Sequence, residues 1–276
     1  MEIKDLLSQT DKLPNIPEVV RDLIQALNDP NADYSKISEK VAKDQTISLK
    51  VLRLVNSAYF GLSRKVASID EAVVMLGMGK LKTLVIASGF ANCASKVEGI
   101  DLPGFWSDSF QVAEVARWLA EMSESEVEAD LAFTAGIIHN IGQLLLHMAQ
   151  PNRAMAIKTI VDTTDTSRTQ AELERLDFTT ADAGCALVES WKFPEQLSQA
   201  IKHQNHPTEM AESPQLSAIL YIASFINKEA KSDASFEETL ERFPHGIAEI
   251  AGIKTNLADY LADALSLKSG LDSLAA

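Results

Sequence analysis

The feature that most constrains this chain is the spacing of its apolar residues, which is helical almost from end to end. Val19, Val20, Leu23, Ile24 and Leu27 follow Pro17 at helical intervals, and proline suits a first helical turn. Asn28-Asp29-Pro30 reads as a stop. Ile37 and Val41 begin a second helix, with Ser35 as its expected cap, and Ile47, Val51, Leu54 and Val55 mark a third that ends near Asn56. Ser68 and Glu71 have capping-box spacing ahead of Ala72, Val73 and Leu76, and Gly77 is expected to close that helix. A long apolar helix from about Lys80 to Ser95 should follow. No alternating segment is paired with a hairpin turn, so the fold class is all-α.

The second half keeps the same habit. Phe110, Val115, Trp118, Leu119 and Met122 form one stripe, Leu131 to Ile138 another, and Leu144 to Leu146 a third. Thr169 with Glu172 and Ser235 with Glu238 have capping-box spacing, and Ser213-Pro214 predicts a helix start. Residues 256–275 read as a final amphipathic helix. About a dozen helices are expected, with no fixed-period repeat. A chain of 276 residues buries enough surface to need no disulfide or structural metal, and Cys93 and Cys185 alone make no disulfide framework. With no run of about 18 apolar residues and a charged N-terminus lacking an apolar stretch, a cytoplasmic protein without a membrane association is expected.

Charge is unevenly divided. Residues 1–90 hold 12 basic and 11 acidic side chains, whereas residues 91–276 hold 13 and 28, a net of −15. An acidic body repels phosphate backbones, which argues against nucleic-acid binding. From Lys36 to Lys82, nine basic residues face four acidic ones. That stretch is either a set of solvated helix faces or a docking surface for an acidic partner.

The phosphate-binding, dinucleotide-binding and nucleophile-elbow motifs are absent, as is the His-Glu-x-x-His zinc signature. The chemically suggestive spot is Gly136-Ile137-Ile138-His139-Asn140-Ile141-Gly142. Two polar side chains inside an apolar run must be hydrogen-bonded or bind something. His147 reads as a helix-face residue, and His203 and His206 lie before the break at Pro207. Trp106, Trp118 and Trp191 read as core anchors.

Leu13-Pro14-Asn15-Ile16-Pro17-Glu18-Val19-Val20, the Asn28-Asp29-Pro30 stop and the run Val51 to Gly61 resemble the HDOD domain. The resemblance continues through Ser68 to Val73, Ala135 to Gly142 and Trp191 to Glu195, covering roughly residues 13–210. It implies a bacterial signalling module related to the metal-dependent phosphohydrolases of the HD superfamily. The implied architecture is an N-terminal helical lobe over 1–95 and an HD-like lobe over 96–276.

The resemblance also implies where metal ligands would stand. Those positions hold Asp108, His139, Asn140, Thr180, His203 and Ser224. An HD centre needs carboxylates and several imidazoles, whereas Asn140 offers only a neutral carbonyl and Thr180 and Ser224 are weak ligands. No cofactor is therefore expected; a single metal, if held at all, would take His139, His203 and Asp108. The expectation is a non-catalytic module acting through signalling proteins in trans. The alternatives are a metal-dependent phosphohydrolase acting on a nucleotide or phosphate ester, and a small-molecule sensor using the remnant cleft. The candidate partner surface is Lys50, Arg53, Asn56, Tyr59, Arg64 and Lys65.

Overall fold

The computed structural model describes residues 2–8, 16–26, 33–57, 60, 62, 64–91, 96–253 and 257–271. Among these it holds sixteen α-helices, a turn of 3-10 helix at Pro207–Glu209, and no strand. Leu13 to Asn15, Asn28 to Pro30, Tyr59, Gly61 and Cys93 lie outside the described residues.

The first lobe is built from α2 (Glu18–Gln25), α3 (Tyr34–Lys43), α4 (Gln45–Val55) and α5 (Ile69–Ala91), which pack on one another through Val20, Leu23, Ile24, Ile47, Val51 and Leu54. The cap of α3 is Asp33, which accepts from the Lys36 amide at 3.2 Å, rather than Ser35. The position two residues earlier is favoured because a carboxylate both caps the free amides and complements the helix dipole. Gly77 adopts φ 82°, ψ 163° and closes the first of two helices there, as expected. Helix resumes at once on its far side, so α5 is two helices meeting at a sharp break. Asn56 closes α4 as a bracket: its amide donates to the Leu52 and Val66 carbonyls, and its oxygen accepts from the Val66 amide, all at 2.8 Å.

The second lobe centres on α6 (Leu102–Met122), α7 (Ala129–Ile138) and α13 (Gln215–Glu229), packed side by side. Around them run α8 (Ile141–Ala149), α9 (Pro151–Thr163), α10 (Arg168–Leu176), α11 (Thr180–Ser190) and α12 (Glu195–Lys202). Beyond α13 lie α14 (Phe236–Glu241), α15 (His245–Ile250) and α16 (Leu257–Ser266). The last helix is shorter than 256–275, and α13 starts at Gln215 without a side-chain cap, because Ser213 takes φ 49° and turns away from that role. The short α1 (Ile3–Leu7) packs on α8 and α11, so the chain's first described helix sits with the second lobe.

Aromatic rings join the lobes. Phe90 at the end of α5 lies 6.5 Å from Trp106 and 6.2 Å from Trp191, ring centre to ring centre. Trp106 and Trp191 are buried, as a core role requires, while Trp118 is half-buried. Ile69–Ala91 and Ala129–Ala149 are apolar and long enough, by composition, to cross a membrane, which the run-length criterion did not anticipate. The first is broken at Gly77; the second is α7 and α8 joined at His139 and Asn140, and 83% of its apolar window is buried inside the protein.

Candidate functional site

Two glycines place the His139-Asn140 pair. A side chain at Gly136 would bring its Cβ within 2.4 Å of the Ala113 Cα, so only glycine lets α7 lie this close to α6. A Cβ on Gly142 would come within 1.9 Å of the Thr180 carbonyl oxygen, so glycine also seats the start of α8 on the start of α11. The junction between α7 and α8 is thereby wedged against α6, α11 and α12.

His139 is buried, and its Nδ1–H donates to the Gly136 carbonyl at 2.6 Å. Burial pushes its titration down to about 4, so the ring is neutral near pH 7 and the Nε2 lone pair is the free one. A backbone carbonyl orienting the opposite nitrogen is how proteins hold metal-ligating imidazoles. Gln204 locks the junction from the other side: its Nε2 donates to the His139 carbonyl at 2.8 Å and the Ile201 carbonyl at 3.0 Å. Asn140 is half-buried and starts α8 without a capping bond from its side chain.

Thr180 is engaged elsewhere. Its hydroxyl donates to Glu172 Oε1 at 2.9 Å, and its amide donates to Glu172 Oε2 at 2.8 Å. Glu172 is 2% exposed and is also ion-paired with Arg168 Nε at 2.9 Å. The capping box expected at Thr169 therefore does not form. Ser167 is the cap of α10, and Glu172 turns inward to fasten α10 to α11. The Arg168 to Glu172 spacing of four residues was a visible hint of an ion pair; the third partner, eight residues further on, was not.

Asp108 is ion-paired with Lys231, which follows α13, and both are about half exposed. Ser224 is half-buried on α13, and His203 ends α12 on the wall of a groove. Among the described residues no three His, Cys, Asp or Glu side chains converge as a group able to hold a metal ion, so the trio His139, His203 and Asp108 is not assembled as one ligand set. An HD-type divalent centre needs carboxylates and several imidazoles in a single shell, and among the described residues this arrangement presents one oriented imidazole. His147 is not a surface residue: it is 1% exposed, and its Nδ1 bonds the Glu98 carbonyl at 2.9 Å, tying α8 to the segment that links the lobes.

On the first lobe, Arg53 and Lys65 are exposed and unpaired among the described residues. Burial and the nearby Arg53 lower the pKa of the half-buried Lys50 amine. Arg64 pairs with Glu71 at 3.5 Å. Asn56 is exposed, and its amide is also engaged in the bracket with Leu52 and Val66. Tyr59 lies outside the described residues.

The HDOD domain profile matches residues 13–207. A solved candidate phosphohydrolase from Shewanella amazonensis SB2B is 34% identical, with 98% of each chain covered and a TM-score of 0.80. A solved candidate signal transduction protein from Marinobacter aquaeolei VT8 shares the fold at 21% identity and TM-score 0.78, over 97% of this chain and 61% of that one. The cyclic di-GMP phosphodiesterase CdgJ of Vibrio cholerae serotype O1 is 26% identical over 127 residues, 46% of this chain and 28% of that protein. The chain spans 39% or less of the length of the curated relatives it matches.

Proposed function

Because the chain belongs to the HDOD family, we propose that it is a non-catalytic signal-transduction module, cytoplasmic and bacterial, that acts by binding protein partners in trans. The observation that carries this reading is the commitment of Thr180 to Glu172. At a position where an HD enzyme places a ligand, this chain has a side chain locked into its own helix packing. Asn140 lacks the charge to bridge two cations, and Asp108 is spent on Lys231. The remaining imidazole, His139, keeps a ligand's posture without a ligand's neighbours. The partner surface in this reading is the face bearing Lys50, Arg53, Arg64 and Lys65, which suits an acidic protein because opposite charge steers encounter.

Two measurements test the proposal. Purified protein loaded with Mn²⁺ or Fe²⁺ and then gel-filtered is expected to retain well under one ion per chain, and to hydrolyse p-nitrophenyl phosphate no faster than buffer. A stoichiometric ion together with turnover that disappears in His139→Gln would establish the phosphohydrolase instead. In a pull-down, the Arg53→Glu, Lys65→Glu double variant is expected to lose partners that the wild type retains, with an unchanged melting temperature.

A further inference from the structure

Beyond residue 207, where the family match ends, the chain returns to the boundary between its lobes. Gln111, on α6, holds the returning segment with both ends of its amide. Its Nε2 donates to the Leu267 carbonyl at 2.7 Å, and its Oε1 accepts from the Ser269 amide at 3.0 Å. The Ser269 hydroxyl in turn accepts from the Leu271 amide at 3.3 Å, and Gly270 between them takes φ 63°, which turns the chain inward. Ser269 and Leu271 are 2% and 1% exposed.

Leu271 ends in a cavity of about 410 Å³. The other described residues around it come from both lobes: Phe60 after α4, Lys80, Thr83 and Leu84 on α5, and Glu114 and Arg117 on α6. Arg117 is fixed there. It pairs with Glu114, donates to the Thr83 hydroxyl at 3.2 Å and stacks 5.2 Å from the centre of the Phe133 ring. The cavity wall is thus stiff and polar on the α6 side, while one leucine on a short strap covers it from another. The segment from Leu267 to Leu271 forms neither helix nor sheet, so its attachment rests on Gln111, on buried Ser269 and Leu271, and on partly buried Leu267.

We infer that residues 267–271 are a releasable strap that latches the first lobe to the second. In the latched state Leu271 covers part of the cavity. In the released state buried Thr83 and half-buried Glu114 and Arg117 open to solvent beside Lys80, which is already exposed, and the contact through Phe60 is lost. A single side chain outside the strap, Gln111, sets the balance between the two, because it supplies both polar attachments and no other residue duplicates them among those described.

Amide exchange followed by NMR on the wild type, Gln111→Ala and Leu271→Ser tests the strap. Both variants are expected to exchange the Ser269 and Leu271 amides about tenfold faster, and the Phe60 and Val66 amides of the other lobe severalfold faster, with Ile137 in α7 unchanged. Ser269 and Leu271 already unprotected in the wild type would overturn the inference. So would a strap freed in the variants while Phe60 and Val66 keep their wild-type rates, since the strap would then latch nothing. Acceleration of Ile137 by the same factor would make the segment an inseparable part of the core, and the inference would fail in that case too.

Discussion

At the scale of single residues, His139 shows how burial decides chemistry. The ring is buried and held by one bond to a carbonyl, and burial disfavours its charged form. An unfolded histidine titrates near 6.5, whereas folded His139 titrates near 4. Between those values the unfolded chain holds a proton that the folded chain refuses. The contribution of His139 to stability is therefore flat above pH 6.5 and is lost progressively as the pH falls toward 4, by about 3 kcal/mol in full. Urea unfolding of the wild type and of His139→Gln at pH 7.0, 6.0 and 5.0 checks this. The wild type should lose more stability than the variant over that interval. Parallel slopes would mean that His139 accepts its proton in the folded state without penalty, and that the pocket admits water.

At the scale of elements, the joint between α10 and α11 carries a prediction of its own. Buried Glu172 satisfies the Thr180 hydroxyl, the Thr180 amide and Arg168 together. Glu172→Ala strands all three and should cost about 3 kcal/mol, whereas Thr180→Val removes one bond and should cost about 1 kcal/mol. The double variant should cost clearly less than their sum, and additive losses in urea unfolding would show that the two side chains do not interact. This joint also marks the limit of what was legible in the sequence. Helices α4, α7 and α13 were visible because apolar spacing is a local signal, and the Ser235-Glu238 box formed as read because both partners lie within one turn. The destination of Glu172, the bracket of Asn56 and the bond from His147 to Glu98 join segments eight to forty-nine residues apart. Spacing along one helix carries no information about such pairings. The glycines flanking His139-Asn140 announced a special place, but only the approach of α6 and α11 explains why no larger residue fits there.

At the scale of the whole molecule, charge is the least balanced property. The net charge is −14, made of +1 over residues 1–90 and −15 over residues 91–276. A groove of about 930 Å³ is lined by Glu124, Glu126, Glu128, Glu195, Glu209 and Glu212, with no lysine or arginine among its described lining residues. Like charges gathered on one face oppose the compact state, and they do so most where salt is scarce. Glu126 and Glu212 are exposed and form no ion pair among the described residues, so converting them to glutamine removes repulsion and breaks no contact. The Glu126→Gln, Glu212→Gln variant should melt about 1 to 2 °C above the wild type in 10 mM NaCl. That gap should close by 0.5 M NaCl, because ions then screen the groove, and the wild type should itself gain stability along the same series. Calorimetry across the salt series decides the matter. A variant that melts below the wild type at low salt would mean that these carboxylates do stabilising work within the fold, and that the acidic groove is held together rather than pushed apart by its charge.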